Sequence, residues 1–321
     1  MSFTITEPST VTDAVRLIAA DDETRIVAGG TGLTLLLRYG LLAPTRLVSL
    51  RNLPSLAGVA RTGDGGLRIG AATTLSALEH SDDVAARAPA LRQALRRLGN
   101  VRVRNVAQLG GAVAHGHPQM DLPPVLVAGE ARIEVTGPAG TRQIPAGELF
   151  LGYYDTAIGD DELVTAVHLP PHHGVYRKVT LRTAEDWPAL GVAVTTDPGD
   201  SRDGPPATAG VRIAVGAIGD RPFRLTDLED ALADTPPTPA GIADAVTTAV
   251  ADLEIHDGVD ASAEYRRHLV AVHVRRALQT VLLDGADPDH GDPDHGEPDH
   301  GEPDDSDVAG PDVAGPDGGP R

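Results

Sequence analysis

Apolar and polar residues recur in two rhythms along this 321-residue chain, and the changes of rhythm mark its elements. Phe3, Thr4 and Ile5 read as a short strand. Val11, Ala14, Val15 and Ile18 then fall at helical spacing behind Ser9 or Thr10, either of which suits an N-cap. A strand at 25–28, a helix through 33–38 and a buried strand at 47–50 complete a βαβαβ unit. Next come a strand at 67–71, a short helix from Ser76 toward His80 and a stronger one over 89–98. Pro123 and Pro124 open a helix reaching Ala128, because proline is tolerated in a first helical turn. Residues 131–135 and 143–144 read as a hairpin around Gly137 and Gly140, and 162–169 as a strand closed by Pro170-Pro171.

Beyond Val175 the order changes. Strands at 176–181, 190–195 and 211–218 precede helices at 226–233, 239–253 and 263–283, a segregation that points to an α+β layer. The Gly, Pro and Asp of 198–206 read as a mobile hairpin tip. From about residue 285 Asp-Pro-Asp-His-Gly and Asp-Val-Ala-Gly-Pro repeats take over, too poor in apolar residues to pack, and this tail is expected to be disordered. His290, His295 and His300 beside its acids offer a weak metal site at most, and a solvated tail is the better reading.

Two glycine clusters break these rhythms. Gly29-Gly30-Thr31-Gly32 follows the apolar run at 25–27, where a strand hands over to a helix, and Gly110-Gly111 follows Arg104, Asn105, Gln108 and Leu109. Segments without Cβ atoms turn backbone N–H groups toward one point and let a ligand approach the main chain. Two of them, about eighty residues apart, suit the two phosphates of one dinucleotide held from opposite sides. The first cluster lacks the Lys-Ser/Thr of a P-loop and the spacing of Gly-x-Gly-x-x-Gly, so neither ATP hydrolysis nor an ordinary nicotinamide site is indicated.

Composition narrows the chemistry. With no cysteine, disulfides, iron–sulfur ligation and thiolate zinc sites within the chain are excluded, and any electrons travel on an organic cofactor or through a partner. A net charge of −19 argues against nucleic acid as a partner. Thirteen acids and one arginine lie beyond Leu283, a net −12 that leaves −7 for the body. No signal-like segment and no apolar run of spanning length is present, so no membrane span and a cytoplasmic location are expected.

Four segments occur in a telling order: Val27-Ala28-Gly29-Gly30-Thr31 with Leu33; Ile69-Gly70-Ala71 with Thr73-Thr74; Arg104-Asn105 with Leu109-Gly110-Gly111; and Ala114-His115 with Pro118 and Asp121. Together they resemble the FAD-binding medium subunit of the molybdenum hydroxylases, the carbon monoxide dehydrogenase and xanthine dehydrogenase family. Phe150-Leu151-Gly152-Tyr153, Glu162-Leu163-Val164 through Leu169-Pro170, and the helix from Ala263 to Leu278 extend the match, which covers residues 3 to about 283. The resemblance implies an α+β fold with a vanillyl-alcohol-oxidase (PCMH) type FAD-binding domain over 1–174, in subdomains 1–55 and 56–174. A smaller α+β C-terminal domain over 175–283 and the tail 284–321 would follow.

The same resemblance implies roles for individual residues. Ile26, Val27, Ala28, Gly29, Gly30, Thr31, Gly32 and Leu33 would wrap the FAD pyrophosphate with backbone N–H groups. Gln108, Leu109, Gly110, Gly111 and Ala112 would form a second pyrophosphate loop, and Asp121 would accept hydrogen bonds from the sugar hydroxyls. Leu98 and Leu163 would line the channel. Lys178 would lie near the flavin ring, where a cation stabilises charge developing on reduction, and Trp187 stands where relatives often place a Tyr beside that ring. Gln108, Gly32 and His117 depart from the family's usual Thr or Ser, Asp or Ser, and small or acidic residue. No catalytic acid or base is needed in this chain. Its expected partners are a molybdenum-cofactor large subunit and a [2Fe–2S] small subunit, with NAD, a quinone or oxygen as acceptor. A free-standing flavin oxidoreductase and a flavin-free scaffold are the rival readings.

Simpler roles exist for most of these residues. Asp121 could cap the helix that follows it, Lys178 could be a solvated charge, and Trp187 could be core packing. Arg104 and Asn105 could be loop residues without a ligand. His115 and His117 could face one side of a strand as metal ligands, but no third ligand is in view, so no metal is expected. Tyr265, Arg266, Arg267 and the Arg275-Arg276 pair suit a packing or subunit-contact face.

Overall fold

The computed structural model describes residues 3–198, 210–233, 237–257 and 261–283. The expected hairpin tip from residue 199 onward and the repetitive tail with His290, His295 and His300 lie outside the described residues.

The chain opens with β1 (Thr4–Thr6), α1 (Val11–Ala19), β2 (Thr24–Val27), α2 (Thr31–Arg38) and β3 (Arg46–Ser49). The three strands form a parallel sheet in the order β1-β3-β2, with Ile5 opposite Leu47 and Ile26 opposite Val48. Thr10 is the N-cap of α1, its hydroxyl accepting from Asp13 N at 3.0 Å. Ala14, Val15 and Ile18 are the buried stripe of that helix and pack with Val48, Leu50, Leu53 and Leu56. The βαβαβ unit read from the sequence is thus present.

A second sheet is antiparallel and larger. It holds β4 (Val59–Arg61), β5 (Leu67–Gly70), β6 (Arg132–Gly137), β7 (Gly140–Pro145) and β10 (Leu163–Leu169) in the order β4-β5-β10-β6-β7. Between β5 and β6 run α3 (Leu75–Glu79), α4 (Asp82–Arg87), α5 (Pro89–Arg97), α6 (Val101–Val106), α7 (Leu109–Ala114) and α8 (Leu122–Ala128). After β7 come α9 (Ala146–Leu149) and a small ribbon of β8 (Phe150–Gly152) and β9 (Asp155–Thr156). Leu91, Leu95, Leu109, Leu122 and Leu126 meet Ile69, Ile133 and Val167 in one core. The short elements α4, α6, α7, α9, β4, β8 and β9 were not among those expected, because segments of two to six residues carry too few positions to show a period.

The last part is a four-stranded antiparallel sheet, β11 (His173–Val179), β12 (Leu190–Thr196), β13 (Arg212–Gly216) and β14 (Phe223–Arg224), in that order. Helices α10 (Thr226–Ala233), α11 (Pro239–Ala251) and α12 (Ala263–Leu282) follow. Val270, Val274, Leu278 and Val281 of α12 pack with Val192, Val194, Ile213 and Val215 in a separate core. This is the expected α+β layer. Its β11 also packs on α5 of the preceding part, and Tyr176, Ala193 and Ala214 complete that part's core. No helix among the described residues is long and apolar enough to cross a membrane.

One close contact ties the end of the first sheet to the helices that follow β5. A Cβ built on Gly29 would lie 1.9 Å from the carbonyl oxygen of Val106, at the end of α6. Glycine is required there by the approach of two backbones. Gly29→Ala is expected to destabilise the fold by about 1–3 kcal/mol through overpacking. Gly147→Ala, where a Cβ meets nothing within 4 Å, should be neutral or slightly stabilising; thermal denaturation of the two variants checks the contrast.

Candidate cofactor site

The close approach of Gly29 to Val106 brings both glycine clusters to one cleft of about 530 Å³. Ile26, Ala28, Gly29, Gly30, Thr31, Gly32 and Leu33 line it from the β2–α2 side. Gln108, Gly110, Gly111 and Ala112 line it from α7. Leu98, Asp121, Leu163, Lys178 and Trp187 complete the expected set. Two expected positions face elsewhere. Leu109 is fully buried in the core, and Val27 is absent from the lining, its side chain lying near Gly30.

The two glycine segments offer unequal numbers of donors. Gly30 has φ +73° and is the N-cap of α2, without any side-chain cap, and the first bond of that helix is Thr34 N–H to Gly30 O at 2.9 Å. Helix geometry therefore leaves the N–H groups of Thr31, Gly32 and Leu33 outside the ladder. At α7 most of this capacity is spent. Leu109 N–H donates to Thr73 O at 3.0 Å and Gly110 N–H to Ala71 O at 2.8 Å, which stitches the segment to the end of β5. Of the three donors at that helix start, Gly111 alone keeps an outward N–H. Gln108 adds a buried side-chain oxygen with no hydrogen-bond partner.

Asp121 does not cap α8. It makes no side-chain cap bond, and its carboxylate instead accepts from Tyr176 Oη at 2.8 Å and from Lys178 Nζ at 3.3 Å. All three groups are buried, and Lys178 Nζ also donates to Arg97 O at 2.9 Å. A bare carboxylate in this setting is costly. Burial pushes the Asp121 carboxyl up to about 6, against the pull of Lys178 and the Tyr176 hydrogen bond. Burial and the neighbouring carboxylate keep the Tyr176 phenol protonated, and so a donor. Gly191, opposite Lys178 in the sheet, makes room for that phenol, since a Cβ there would stand 2.8 Å from Tyr176 Oη.

Trp187, in the loop between β11 and β12, is 51% exposed and stacks at a tilt on His117, ring centroids 4.3 Å apart. His115 ends α7 and His117 follows in a loop, so neither lies on a strand. Among the described residues no group of three or more His, Cys, Asp or Glu is arranged to hold a metal. Arg104 is structural: it pairs with Glu79 at 2.7 Å and donates to the carbonyls of Leu98 and Gly99. Arg266 and Arg267 donate to the carbonyls of Ile218 and Leu253. Sequence reasoning missed Leu35, Leu36, Asn100, Val103 and Tyr154 in the lining. In the structure α2 buries none of its apolar residues, which leaves these leucines to the cleft.

Residues 1–172 match the model of the FAD-binding domain in molybdopterin dehydrogenase, and 175–281 that of the CO dehydrogenase flavoprotein C-terminal domain. The chain belongs to the FAD-binding medium subunits of the molybdenum hydroxylase family. It is 32% identical over 273 residues to the nicotine 6-hydroxylase medium subunit of Paenarthrobacter nicotinovorans, covering 84% of this chain and 94% of that one. To the carbon monoxide dehydrogenase medium chain of Afipia carboxidovorans it is 30% identical, covering 87% and 96%. The solved quinoline 2-oxidoreductase of Pseudomonas putida 86 superposes with a TM-score of 0.82 at 26% identity, covering 89% of this chain and 98% of that one. The cofactor of this flavoprotein family is FAD.

The buried ion pair in this medium subunit has a pH signature. A carboxyl held above its usual range binds its proton more tightly folded than unfolded, so its ionisation costs stability as pH rises through about 6. Lys178→Met should therefore lose about 3–5 kcal/mol at pH 8, and recover much of it at pH 5, where Asp121 takes up a proton. Urea denaturation at the two pH values checks this; an equal loss at both would show that the carboxylate does not depend on the ammonium.

Proposed function

We propose that this chain receives electrons from the [2Fe–2S] clusters of a partner small subunit onto FAD held in the cleft. A molybdenum-cofactor large subunit would oxidise the substrate, and the electrons would leave from FAD to a separate acceptor (NAD, a quinone or oxygen). The observation that carries this reading is the convergence of two glycine segments, 81 positions apart from Gly29 to Gly110, on one cleft with a buried carboxylate on its wall. The absence of cysteine supports the division of labour, because clusters must then sit on another chain. The matched relatives are named as medium subunits of a hydroxylase and a dehydrogenase.

The residues present suit FAD. The N–H groups of Thr31, Gly32, Leu33 and Gly111 would receive the pyrophosphate, with Ile26, Ala28, Gly29, Gly30, Gly110 and Ala112 shaping the close approach. Gln108, whose side-chain oxygen has no partner, would turn its NH2 end to the same anion in place of a hydroxyl. Asp121, fixed by Tyr176 and Lys178, would accept from the sugar hydroxyls, and Leu98 and Leu163 would pack on the cofactor. Lys178 would place its charge near the flavin ring. When bound, FAD exchanges one or two electrons and so couples one-electron clusters to a two-electron acceptor. We assign the cofactor to 1–174, with subdomains 1–55 and 56–174, and the smaller domain to 175–283.

The test is an absorption spectrum of the purified full-length chain after FAD addition and desalting. Flavin at about one per chain is expected, with Asp121→Ala holding at least about tenfold less tightly, the loss of a charge-assisted hydrogen bond. A chain without flavin, both alone and co-purified with molybdenum and iron–sulfur subunits, would sink the reading.

A further inference from the structure

Tyr176 is fully buried and absent from the cleft lining, so it acts on a bound molecule only through another group. Its surroundings fix it in place. Its N–H, on the edge strand of the C-terminal sheet, donates to Gln93 Oε1 of α5 at 2.8 Å. Gly191 on β12 makes room for the phenol, which donates to Asp121 Oδ1 at 2.8 Å. Lys178 donates to the other carboxylate oxygen at 3.3 Å. An ionised carboxylate offers about four acceptor sites, so each oxygen keeps capacity beyond its protein partner. Asp121 also lines the cleft, where two adjacent hydroxyls of a sugar would suit that pair of oxygens. Once protonated, the carboxyl loses acceptor capacity and turns one oxygen into a donor.

Few groups decide the charge of this carboxyl. Tyr176 and Lys178, both from β11, favour the ionised form, and burial opposes it, leaving the carboxyl at about 6. From α5, Arg97 lends its carbonyl to Lys178, and its charge acts on the Tyr176 phenol. His115, at the end of α7, has a ring that burial holds below its usual range. Elsewhere on the cleft Glu162 pairs with Arg142 and Asp186 with Arg182, while Glu185 is exposed. Of the other elements packed on α8, β12 carries no titratable group and α9 only the exposed Glu148. Arg212 of β13 and Arg224 of β14 pair with Glu130, past the opposite end of that helix. Removing the phenol therefore shifts the balance toward the neutral carboxyl, with Lys178 left to hold the charge.

We infer that Tyr176 is a positioning residue for the cofactor: it holds Asp121 as an oriented carboxylate for a vicinal pair of FAD hydroxyls, and so makes FAD retention sensitive to acid. The inference rests on the FAD reading. On the acid side of the Asp121 titration, one proton leaves the carboxyl for solvent as FAD binds; on the alkaline side none is exchanged. A buried carboxyl is more easily held neutral than charged. Acid thus loosens the cofactor while the site itself stays folded.

The test is FAD affinity between pH 5 and pH 8, read by equilibrium dialysis and flavin absorption on the full-length chain, with circular dichroism at each pH. Affinity about tenfold weaker at pH 5 than at pH 7 is expected, the change centred near pH 6. Tyr176→Phe should move that centre up by about one to two pH units, the worth of a hydrogen bond to a charged group. Much of the loss is then already present at pH 7. Asp121→Asn, which cannot ionise, should bind more weakly and without the pH step, and it decides the matter if Tyr176→Phe does not fold. A step that persists in Asp121→Asn, stays unmoved in Tyr176→Phe, or merely tracks unfolding overturns the inference and leaves the FAD reading standing. No FAD bound at any pH, alone or with co-purified partner subunits, is the failure of the FAD reading, and the inference falls with it.

Discussion

The cleft exists because two backbones touch. Gly29, leaving the parallel sheet, lies against the carbonyl of Val106 at the end of α6, at a distance that no side chain could share. That contact places the start of α2 beside the start of α7, and the walls of the cleft follow from it. Gly111 approaches Ala28 and Gly32 approaches the His115 ring along the same seam. Several glycines of the two clusters therefore serve the packing of protein on protein. Gly30, at φ +73°, serves the turn that frees the N–H groups of α2.

A second constraint ties the C-terminal sheet to that cleft. Asp121 enters from the start of α8, and Tyr176 and Lys178 enter two residues apart from β11, on the same face of the strand. The three groups satisfy one another in a place where any of them alone would be expensive. Thr195 Oγ1 on the Ala128 carbonyl and Tyr176 N–H on Gln93 add bonds across the same boundary. The result is a carboxylate whose position is determined by residues more than fifty positions away.

The elements that could be read in advance were those long enough to show a period. Thr10 with Val11, Ala14, Val15 and Ile18 marked α1, and the proline pair marked the entry to α8. The hairpin around Gly137 and Gly140 was equally plain, since alternation and turn residues coincide there. Segments such as α6 and α7 were not, because six residues carry no measurable stripe, and two of those in α7 are glycines. Most of the expected site positions do line the cleft, but Leu109 turned inward, because a helix start presents only part of its circumference to any one neighbour.

By itself, then, the sequence determined the α+β class, the two glycine segments, the lack of any cysteine for a metal or cluster, and through its ordered motifs the flavoprotein family. These are local properties, carried by residue type and spacing. The tertiary structure alone decided which N–H groups remain free, since Leu109 and Gly110 lose theirs to Thr73 and Ala71. It also decided that Asp121 meets Tyr176 and Lys178 instead of capping α8, and that His117 supports Trp187. Such outcomes depend on which distant groups compete for one donor or one buried space, and that competition is settled only when the chain is packed.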